Sequence, residues 1–188
     1  MMELYEDAIE DADEFIGWLS ETVSSDTSLI VHSDHGEGFG PLDHGEWGHQ
    51  GTFFEENVHV PLVVRDADAS DEITGPVSLT SIYDIIVSIA KDDFDPTDHE
   101  SRYTLSRTFR PNQIAVRTTE RKYWSTVDSE RSKNGTEYVL SSERDQETEN
   151  TTNFTELAEQ IISSRLSHEA EIQRVRGAAG TVSASSQI

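Results

Sequence analysis

The first strongly patterned segment of the chain lies at its N-terminus. Apolar residues recur there at spacings of three and four, and acidic residues fill the opposite face: Leu4, Ala8, Ala12, Phe15, Leu19 and Val23 against Glu6, Asp7, Glu10, Asp13 and Glu14. This spacing predicts an amphipathic helix of about 20 residues. The aliphatic run SLIVHS at 28–33 follows, and its composition is typical of a short strand that is buried on both faces.

The same alternation of helix and strand continues to about residue 90. The segment VHVPLVVRD at 58–66 is a second aliphatic strand candidate, and SLTSIYDIIVSIA at 78–90 carries a second apolar stripe at helical spacing. Strands that alternate with helices are typical of an α/β fold. We therefore expect the first 90 residues to form a parallel sheet with flanking helices.

The periodicity changes in the second half of the chain. The segment 113–128 alternates around Glu120 and Arg121, which predicts a hairpin, and 135–142 is a further strand candidate before a helix that begins near Phe154. These patterns predict an α/β core part at 1–92, a linker at 93–108, a small subdomain at 109–176 with an antiparallel sheet plus a helix, and a disordered tail at 177–188.

The charge of the chain is extreme for its size. Among 188 residues, 37 are acidic and 14 are basic, which gives a formal net charge of -23. The carboxylates are dispersed along the sequence, a pattern that resembles the proteins of extreme halophiles, although an ordinary acidic protein is the alternative. Such a surface repels phosphate backbones and anionic lipids, so we expect neither nucleic acid nor a membrane as a partner.

Residue types that are absent narrow the possible chemistry further. The chain contains no cysteine, so disulfides, thiolate metal sites and cysteine nucleophiles are excluded. No apolar run approaches the roughly 20 residues that a membrane span needs, and the N-terminus lacks the features of a signal peptide. Taken alone, the sequence predicts a soluble, cytoplasmic protein.

The segment SLIVHSDHGEGFGPLDHGEWGHQG at 28–51 carries the candidate chemistry. It contains four histidines and six glycines, and Asp34 and His35 stand where the predicted strand ends. Ligands of open α/β sheets gather outside the carboxyl ends of strands. A carboxylate beside an imidazole suits Mn²⁺ or Zn²⁺ and, with more oxygen ligands, Mg²⁺ or Ca²⁺. A surface turn without a ligand is the alternative for an isolated Asp-His-Gly.

A longer stretch, HSDHGEGFGPLDHGEWGHQGTFFEENVHVPLVV, resembles the sulfatases and related phosphoesterases of the alkaline phosphatase superfamily. In that family a buried strand ends in S/T-D-H/N-G-E, a glycine-rich loop leads to a Lys or His, an aromatic and acidic stretch follows, and the next strand carries VPL. The same four elements stand here in the same order. The later stretch AVRTTERKYW…TEYVLSSERDQETEN resembles the C-terminal sheet of the family.

The resemblance implies a fold and a set of site residues. The fold is part of an alkaline-phosphatase-like parallel sheet with flanking helices, followed by a small antiparallel sheet plus helix. Asp34 and His35 correspond to ligands of a catalytic divalent metal (Ca²⁺, Mg²⁺, Mn²⁺ or Zn²⁺). His49 corresponds to a catalytic and substrate-binding residue that contacts the oxygens of the transferred sulfate or phosphate, or, when neutral, a second metal.

The other titratable residues of the stretch carry weaker expectations. His44 is expected to be a solvated loop histidine, His32 a packed core residue and His59 a structural residue. Glu37 lies next to the candidate metal ligands and is interpreted either as a residue that orients them or as a solvated carboxylate.

One part of the family active site has no counterpart in this sequence. Sulfatases use a formylglycine nucleophile in a C/S-x-P-S/A-R motif, and none of the five prolines here lies in such a motif. The resemblance therefore implies a sulfatase-like hydrolase fragment that carries half of a metal site. A separate N-terminal half is a possible partner, and it would also hold any targeting signal.

The expected substrate is a sulfated or phosphorylated small molecule or glycan. Two other hypotheses stay open: a phosphodiesterase or phosphotransferase of the same superfamily, and a non-catalytic metal-binding or scaffold protein.

Overall fold

The chain folds into two compact units, Met1–Glu100 and Ser101–Ile188. The computed structural model describes residues 2–40, 44–49, 51–65, 72–109, 112–128, 131–140, 146–148 and 153–185. The boundary lies inside the segment 93–108 that the sequence predicts as a linker. Within that segment a strand begins at Thr104.

The first unit combines helices with very short strands. Its elements are α1 (Met2–Thr22), β1 (Leu29–His32), β2 (Gly38–Phe39), β3 (Trp47–Gly48), α2 (Glu55–Val58), β4 (Leu62–Arg65) and α3 (Ile82–Ala90), with 3-10 turns at Leu79–Ser81 and Pro96–His99. The predicted helices at the N-terminus and at 78–90 and the predicted strand at 28–33 are therefore present. The second strand is shorter than the predicted 58–66.

The two longer strands of the first unit run antiparallel, with Leu29 opposite Arg65 and His32 opposite Leu62. The parallel arrangement expected from the sequence is wrong for this pair. Parallel neighbours need a crossover, which is usually a helix. Here the described part of the connection between β1 and β4 holds the β2–β3 hairpin and the four-residue helix α2, and the chain returns in the opposite direction.

Much apolar surface of the first unit is exposed. Leu4 and Phe15 of the apolar stripe predicted for α1 are each more than half exposed, as are Ile9 and Trp18 outside it, whereas Leu19 and Val23 at the end of the stripe are half-buried. The strand β1 is half-buried, and His32 at its end is exposed, which corrects the expectation of a core histidine. Among the described residues β1 pairs with β4 alone, so the strand lacks the two covered faces that its aliphatic composition predicts.

One polar contact ties α1 to the sheet of the first unit. The guanidinium of Arg65, at the end of β4, donates a hydrogen bond to the hydroxyl of Ser20 at 2.6 Å and another to the carbonyl of Thr27 at 3.4 Å. Arg65 therefore holds the end of the helix and the loop that follows it beside β4.

The second unit is an antiparallel sheet covered by one long helix. The strands β5 (Thr104–Phe109), β6 (Asn112–Arg117), β7 (Arg121–Asp128), β8 (Arg131–Val139) and β9 (Gln146–Thr148) pair in chain order, and α4 (Asn153–Ser185) follows. The core lies between the sheet and the helix: Ile114, Val116, Tyr123, Val127, Ala158, Ile162 and Leu166. The hairpin predicted around Glu120 and Arg121 and the antiparallel sheet plus helix are thus present.

The helix α4 extends to Ser185, through most of the segment predicted as a disordered tail. The small residues and the low hydrophobicity of that segment suggested disorder, but its alanines also favour a helix. Among the described helices, none combines the length and the apolar character that a membrane span requires.

Candidate functional site

The loop that follows β1 is held close to α2. The amide of Gly36 donates a hydrogen bond to the carbonyl of Asn57 at 2.9 Å, and the hydroxyl of Ser33 donates to the carbonyl of His35 at 2.6 Å. A Cβ atom at position 36 would lie only 2.0 Å from the carbonyl oxygen of Glu56. The approach of the loop to α2 therefore requires glycine at this position.

Asn57 connects both arms of this loop. Its side chain is buried and donates a hydrogen bond to the hydroxyl of Thr52 at 2.7 Å, while its main chain accepts the bond from Gly36. The arm that precedes β2 and the arm that follows β3 are therefore fixed to the same residue.

The β2–β3 hairpin brings the side chains of Glu37 and His49 together. Gly38 pairs with Gly48 and Phe39 with Trp47. Because the strands are antiparallel, Glu37 and His49 flank the Gly38–Gly48 pair on the same side. Their side chains meet, with 3.0 Å between the Oε2 atom of Glu37 and the Nδ1 atom of His49.

The tight approach within this hairpin depends on glycines with left-handed backbone conformations. Gly40 has φ +67° and lies against the ring of Trp47, and Gly48 has φ +87°. Residues with a Cβ rarely adopt this conformation. The glycine-rich character of the loop thus serves the geometry that places Glu37 beside His49.

His35 lies beside the pair formed by Glu37 and His49. Its ring stacks on that of His49, with 3.9 Å between the ring centroids and 25° between the planes. One ligand atom from each of His35, Glu37 and His49 lies within 4.8 Å of the others. Two imidazoles and one carboxylate thus converge, and the rings of His35 and His49 are 46% and 43% exposed, which leaves them accessible from solvent.

The hydrogen bonds indicate which ring nitrogens are free. The Nδ1 atom of His35 lies 2.9 Å from the carbonyl oxygen of Gly36, which can only accept, so this nitrogen carries the proton and Nε2 is available to a ligand. By the same argument, the Nδ1 atom of His49 donates to the carboxylate of Glu37.

Asp34 stands apart from the group of three side chains. Its side chain is 85% exposed, and its Oδ1 atom lies 3.7 Å from the Nε2 atom of His35. Of the three site residues predicted from the sequence, the structure thus brings His35 and His49 together and adds Glu37, whereas Asp34 adjoins His35 alone. The sequence did not indicate that Glu37 belongs to this group, because the register of the β2–β3 hairpin decides which residue lies beside His49.

His44 is not the solvated loop histidine that the sequence predicts. Its side chain is 15% exposed and stacks on the ring of Phe54, with 3.8 Å between the ring centroids. Its Nδ1 atom lies 2.8 Å from the Oε1 atom of Glu56, twelve residues further along the chain. No local pattern in the sequence predicts a contact between residues that are twelve positions apart.

The pairing with His44 also changes the ionisation of Glu56. Burial disfavours the charged carboxylate, but the hydrogen bonds from its own main-chain amide and from His44 outweigh burial, and the pKa of Glu56 lies below its ordinary value of 4.5. Glu56 is therefore an ionised partner that holds the loop at His44 against α2.

Comparison with known protein families agrees with the resemblance stated from the sequence. Residues 1–92 match the family model for the sulfatases. No curated protein and no solved structure matches the chain significantly. At the level of the family, the match indicates a sulfatase-like hydrolase.

Sulfatase-family proteins commonly bind a divalent metal, and the described residues contain a group whose donors suit one. The nitrogen and oxygen atoms of His35, Glu37 and His49 are all ordinary metal ligands. The donor chemistry of the site therefore fits a divalent cation.

Proposed function

We propose that residues 1–92 contribute to the active site of a sulfatase-type hydrolase, which cleaves the ester bond of a sulfated small molecule or glycan. The observation that carries this proposal is the convergence of His35, Glu37 and His49 within a segment that matches the sulfatase family. The convergence lies in the loop that follows β1, and the metal and substrate contacts expected from the sequence belong to the same loop.

In this proposal Asp34 and His35 are ligands of a divalent metal, and His49 contacts the oxygens of the sulfate group. The Oδ1 atom of Asp34 and the Nε2 atom of His35 are 3.7 Å apart, which allows both atoms to bind one ion. When bound, the metal supplies positive charge that stabilises the negative oxygens of the ester. Because the Nδ1 atom of His49 donates to Glu37, its Nε2 atom would donate a hydrogen bond to the sulfate when the ring carries a second proton.

The charge of the protein makes such local positive groups necessary. A sulfate ester is an anion, and the net charge of -23 repels it at long range. A metal ion and a hydrogen-bond donor at the site counteract this repulsion at short range. We therefore expect substrate binding to depend on both the metal and His49, and to strengthen as salt screens the rest of the surface.

The nucleophile is the component that this sequence does not supply, because it contains no cysteine and no C/S-x-P-S/A-R motif. We propose that a second polypeptide segment contributes the nucleophile and further metal ligands. The chain alone should then bind the sulfate group without turning the ester over.

Binding and turnover can be tested separately on the purified chain. In the presence of a divalent metal and about 1 M KCl, where the Debye length is about 3 Å, phenyl sulfate should shift the imidazole NMR resonances of His35 and His49 saturably. His59, which is exposed and lies outside the group, is the internal control. Equal shifts at all histidines, or none, would contradict the proposed site.

The turnover experiment uses aryl sulfates and aryl phosphodiesters. We expect hydrolysis of both at the background rate. Turnover that disappears in His49→Ala and persists in His59→Ala would show that the chain contains its own nucleophile, and the requirement for a second segment would be wrong.

A further inference from the structure

We infer that Glu37 determines the charge of the ester that the site accepts. Its carboxylate, which accepts a hydrogen bond from His49, favours a singly charged ester group over a doubly charged phosphate monoester. Glu37 acts through His49 and is therefore a positioning residue that sets specificity. The inference deepens the proposed function and rests on it, because it takes His49 as the contact to the ester oxygens.

Glu37 fixes which nitrogen of His49 faces the substrate. The Oε2 atom of Glu37 lies 3.0 Å from the Nδ1 atom of His49. The two nitrogens of an imidazole lie on opposite sides of the ring, and the hydrogen bond at one of them sets the role of the other. A carboxylate at Nδ1 thus directs Nε2 away from Glu37, towards an ester that approaches from the far side of the ring.

The β2–β3 hairpin holds this pair without any ligand. The pairing of Gly38 with Gly48 fixes Glu37 beside His49, and the ring of His35 stacks on that of His49 with 3.9 Å between the centroids. The carboxylate at one edge and the stacked ring on one face both restrict rotation of His49. The donor at Nε2 is therefore oriented before an ester binds.

The carboxylate of Glu37 also cancels charge at the site. When His49 donates to an ester through Nε2, the ring carries one positive charge and Glu37 one negative charge, so the pair has no net charge. Asp34, a metal ligand in the proposed function, adds a second carboxylate. The two carboxylates and the imidazolium leave one net positive charge of the two that a divalent metal supplies, which one negative charge on the ester balances. A second negative charge on the ester would be repelled by Glu37 without any matching attraction.

The size of this repulsion follows from the distance. An ester oxygen that hydrogen-bonds to Nε2 lies no more than about 8 Å from the carboxylate, because only the ring and two hydrogen bonds separate them. At an effective dielectric constant of about 20, and with a Debye length of about 8 Å at 0.15 M salt, one extra charge should cost about 10-fold in affinity. At about 1 M KCl the Debye length is about 3 Å, so most of this cost should disappear.

The experiment compares three ligands that differ in charge and in central atom. Phenyl sulfate and methyl phenyl phosphate carry one negative charge, whereas phenyl phosphate carries two at about pH 8, since the second ionisation of a phosphate monoester lies near pH 6. Each is titrated in the presence of Mg²⁺ at about 0.15 M and about 1 M KCl, and the NMR resonances of the His49 ring report binding. The wild type should bind both singly charged ligands at least as tightly as phenyl phosphate.

Glu37→Gln removes the charge but keeps an oxygen that accepts from Nδ1. In this variant phenyl phosphate should gain about 10-fold in affinity relative to both singly charged ligands at about 0.15 M KCl, and the gain should shrink at about 1 M. A residue that only supported the fold would change the affinity for all three ligands alike. Glu55→Gln is the matched control, because it removes a carboxylate that lies 4.0 Å from His59, and it should leave the ratio unchanged.

A second measurement tests the orientation without any ligand. The ¹⁵N chemical shifts of the neutral His49 ring report which nitrogen carries the proton, and they are recorded at about 1 M KCl, where the charge of the chain is screened. The wild type and Glu37→Gln should keep the proton on Nδ1, whereas Glu37→Leu, which lacks the acceptor, should place part of it on Nε2. Circular dichroism checks that each variant is folded.

Three results would overturn the inference: a wild type that prefers phenyl phosphate, an unchanged ratio of affinities in Glu37→Gln, and the same proton position in the wild type and Glu37→Leu. The first two would leave the proposed function intact, provided that phenyl sulfate still binds at His49. If none of the three ligands affects His49, the proposed function fails, and the specificity inferred for Glu37 fails with it. The ¹⁵N shifts would then still decide whether Glu37 orients His49.

Discussion

Replacement of Gly36 by alanine tests whether the contact between the loop and α2 positions the candidate site. The added Cβ atom would lie 2.0 Å from the carbonyl oxygen of Glu56, whereas real Cβ atoms essentially never approach closer than 3.0 Å. The obstructing atom belongs to the main chain, so no side-chain rotation can relieve the clash. The loop and α2 must separate by at least about 1 Å.

The cost of this separation can be estimated from two contributions. Overpacking a close contact costs about 1–3 kcal/mol, and loss of the hydrogen bond from Gly36 to Asn57 costs about 1 kcal/mol more. His35 and Glu37 flank the displaced residue on both sides. We therefore expect Gly36→Ala to destabilise the first unit by about 2–4 kcal/mol and to weaken the binding of a divalent metal by at least about 10-fold.

Gly17 provides a matched control for Gly36. It lies within α1, and a Cβ atom there would have no neighbour within 4 Å. Alanine favours helices over glycine, so Gly17→Ala should stabilise by about 0.5–1 kcal/mol. Urea unfolding monitored by tryptophan fluorescence and calorimetry of divalent-metal binding compare the two variants. If Gly36→Ala matches the wild type in both assays, the close approach of Gly36 to Glu56 does not exist in solution.

Three further predictions concern other parts of the molecule. The pKa of Glu56 is lowered in the folded state, so the contribution of this carboxylate to stability is present above the ordinary value of 4.5 and is lost as the pH falls through the lowered pKa. The difference in unfolding free energy between the wild type and Glu56→Gln should therefore shrink in acid. A difference that does not vary with pH would contradict this prediction. Glu137 is fully buried and accepts hydrogen bonds from Arg121 and from Thr155, so Arg121→Met should lower the free energy of unfolding by about 3 kcal/mol. Arg165→Met, at the exposed pair with Glu169, should lower it by about 0.5 kcal/mol or less. Equal losses in urea unfolding would refute this distinction between a buried and an exposed ion pair. The net charge of -23 should make the chain less stable in dilute buffer than in about 1 M KCl, because the Debye length falls from about 30 Å at 0.01 M to about 3 Å at 1 M. Circular dichroism measures the thermal transition at each salt concentration, and a transition temperature that salt does not change would contradict the halophile interpretation.

Local patterns in the sequence were sufficient for most of the regular elements. The apolar stripe of α1 and the alternation around Glu120 and Arg121 each repeat within a few residues, and a helix or hairpin forms where such a repeat occurs. The stretch around Asp34 and His35 also had enough motif content to indicate the sulfatase family, which the match over residues 1–92 confirms. Composition alone determined the exclusion of thiol chemistry, since the chain has no cysteine.

Some sequence predictions were wrong where burial depends on neighbours that no local pattern specifies. An aliphatic run predicts a strand with two covered faces, yet β1 is half-buried and His32 is exposed. The direction of β4 relative to β1 depends on the path of the 29 residues between them, whose described part contains no crossover helix. An apolar pattern indicates that a segment prefers burial, but it does not state which surface covers it.

The sequence by itself determined which residue types the loop after β1 offers for chemistry, namely histidines and carboxylates within a segment that matches the sulfatase family. Only the tertiary structure decided which of them meet. Glu37 joins His49 because the β2–β3 register pairs Gly38 with Gly48, and His44 joins Glu56 because the loop folds back on α2. The spacing of a motif describes residues that are neighbours in sequence, whereas a set of ligands is defined by distances in space. The glycines with left-handed backbone conformations allow the turns that bring these side chains together.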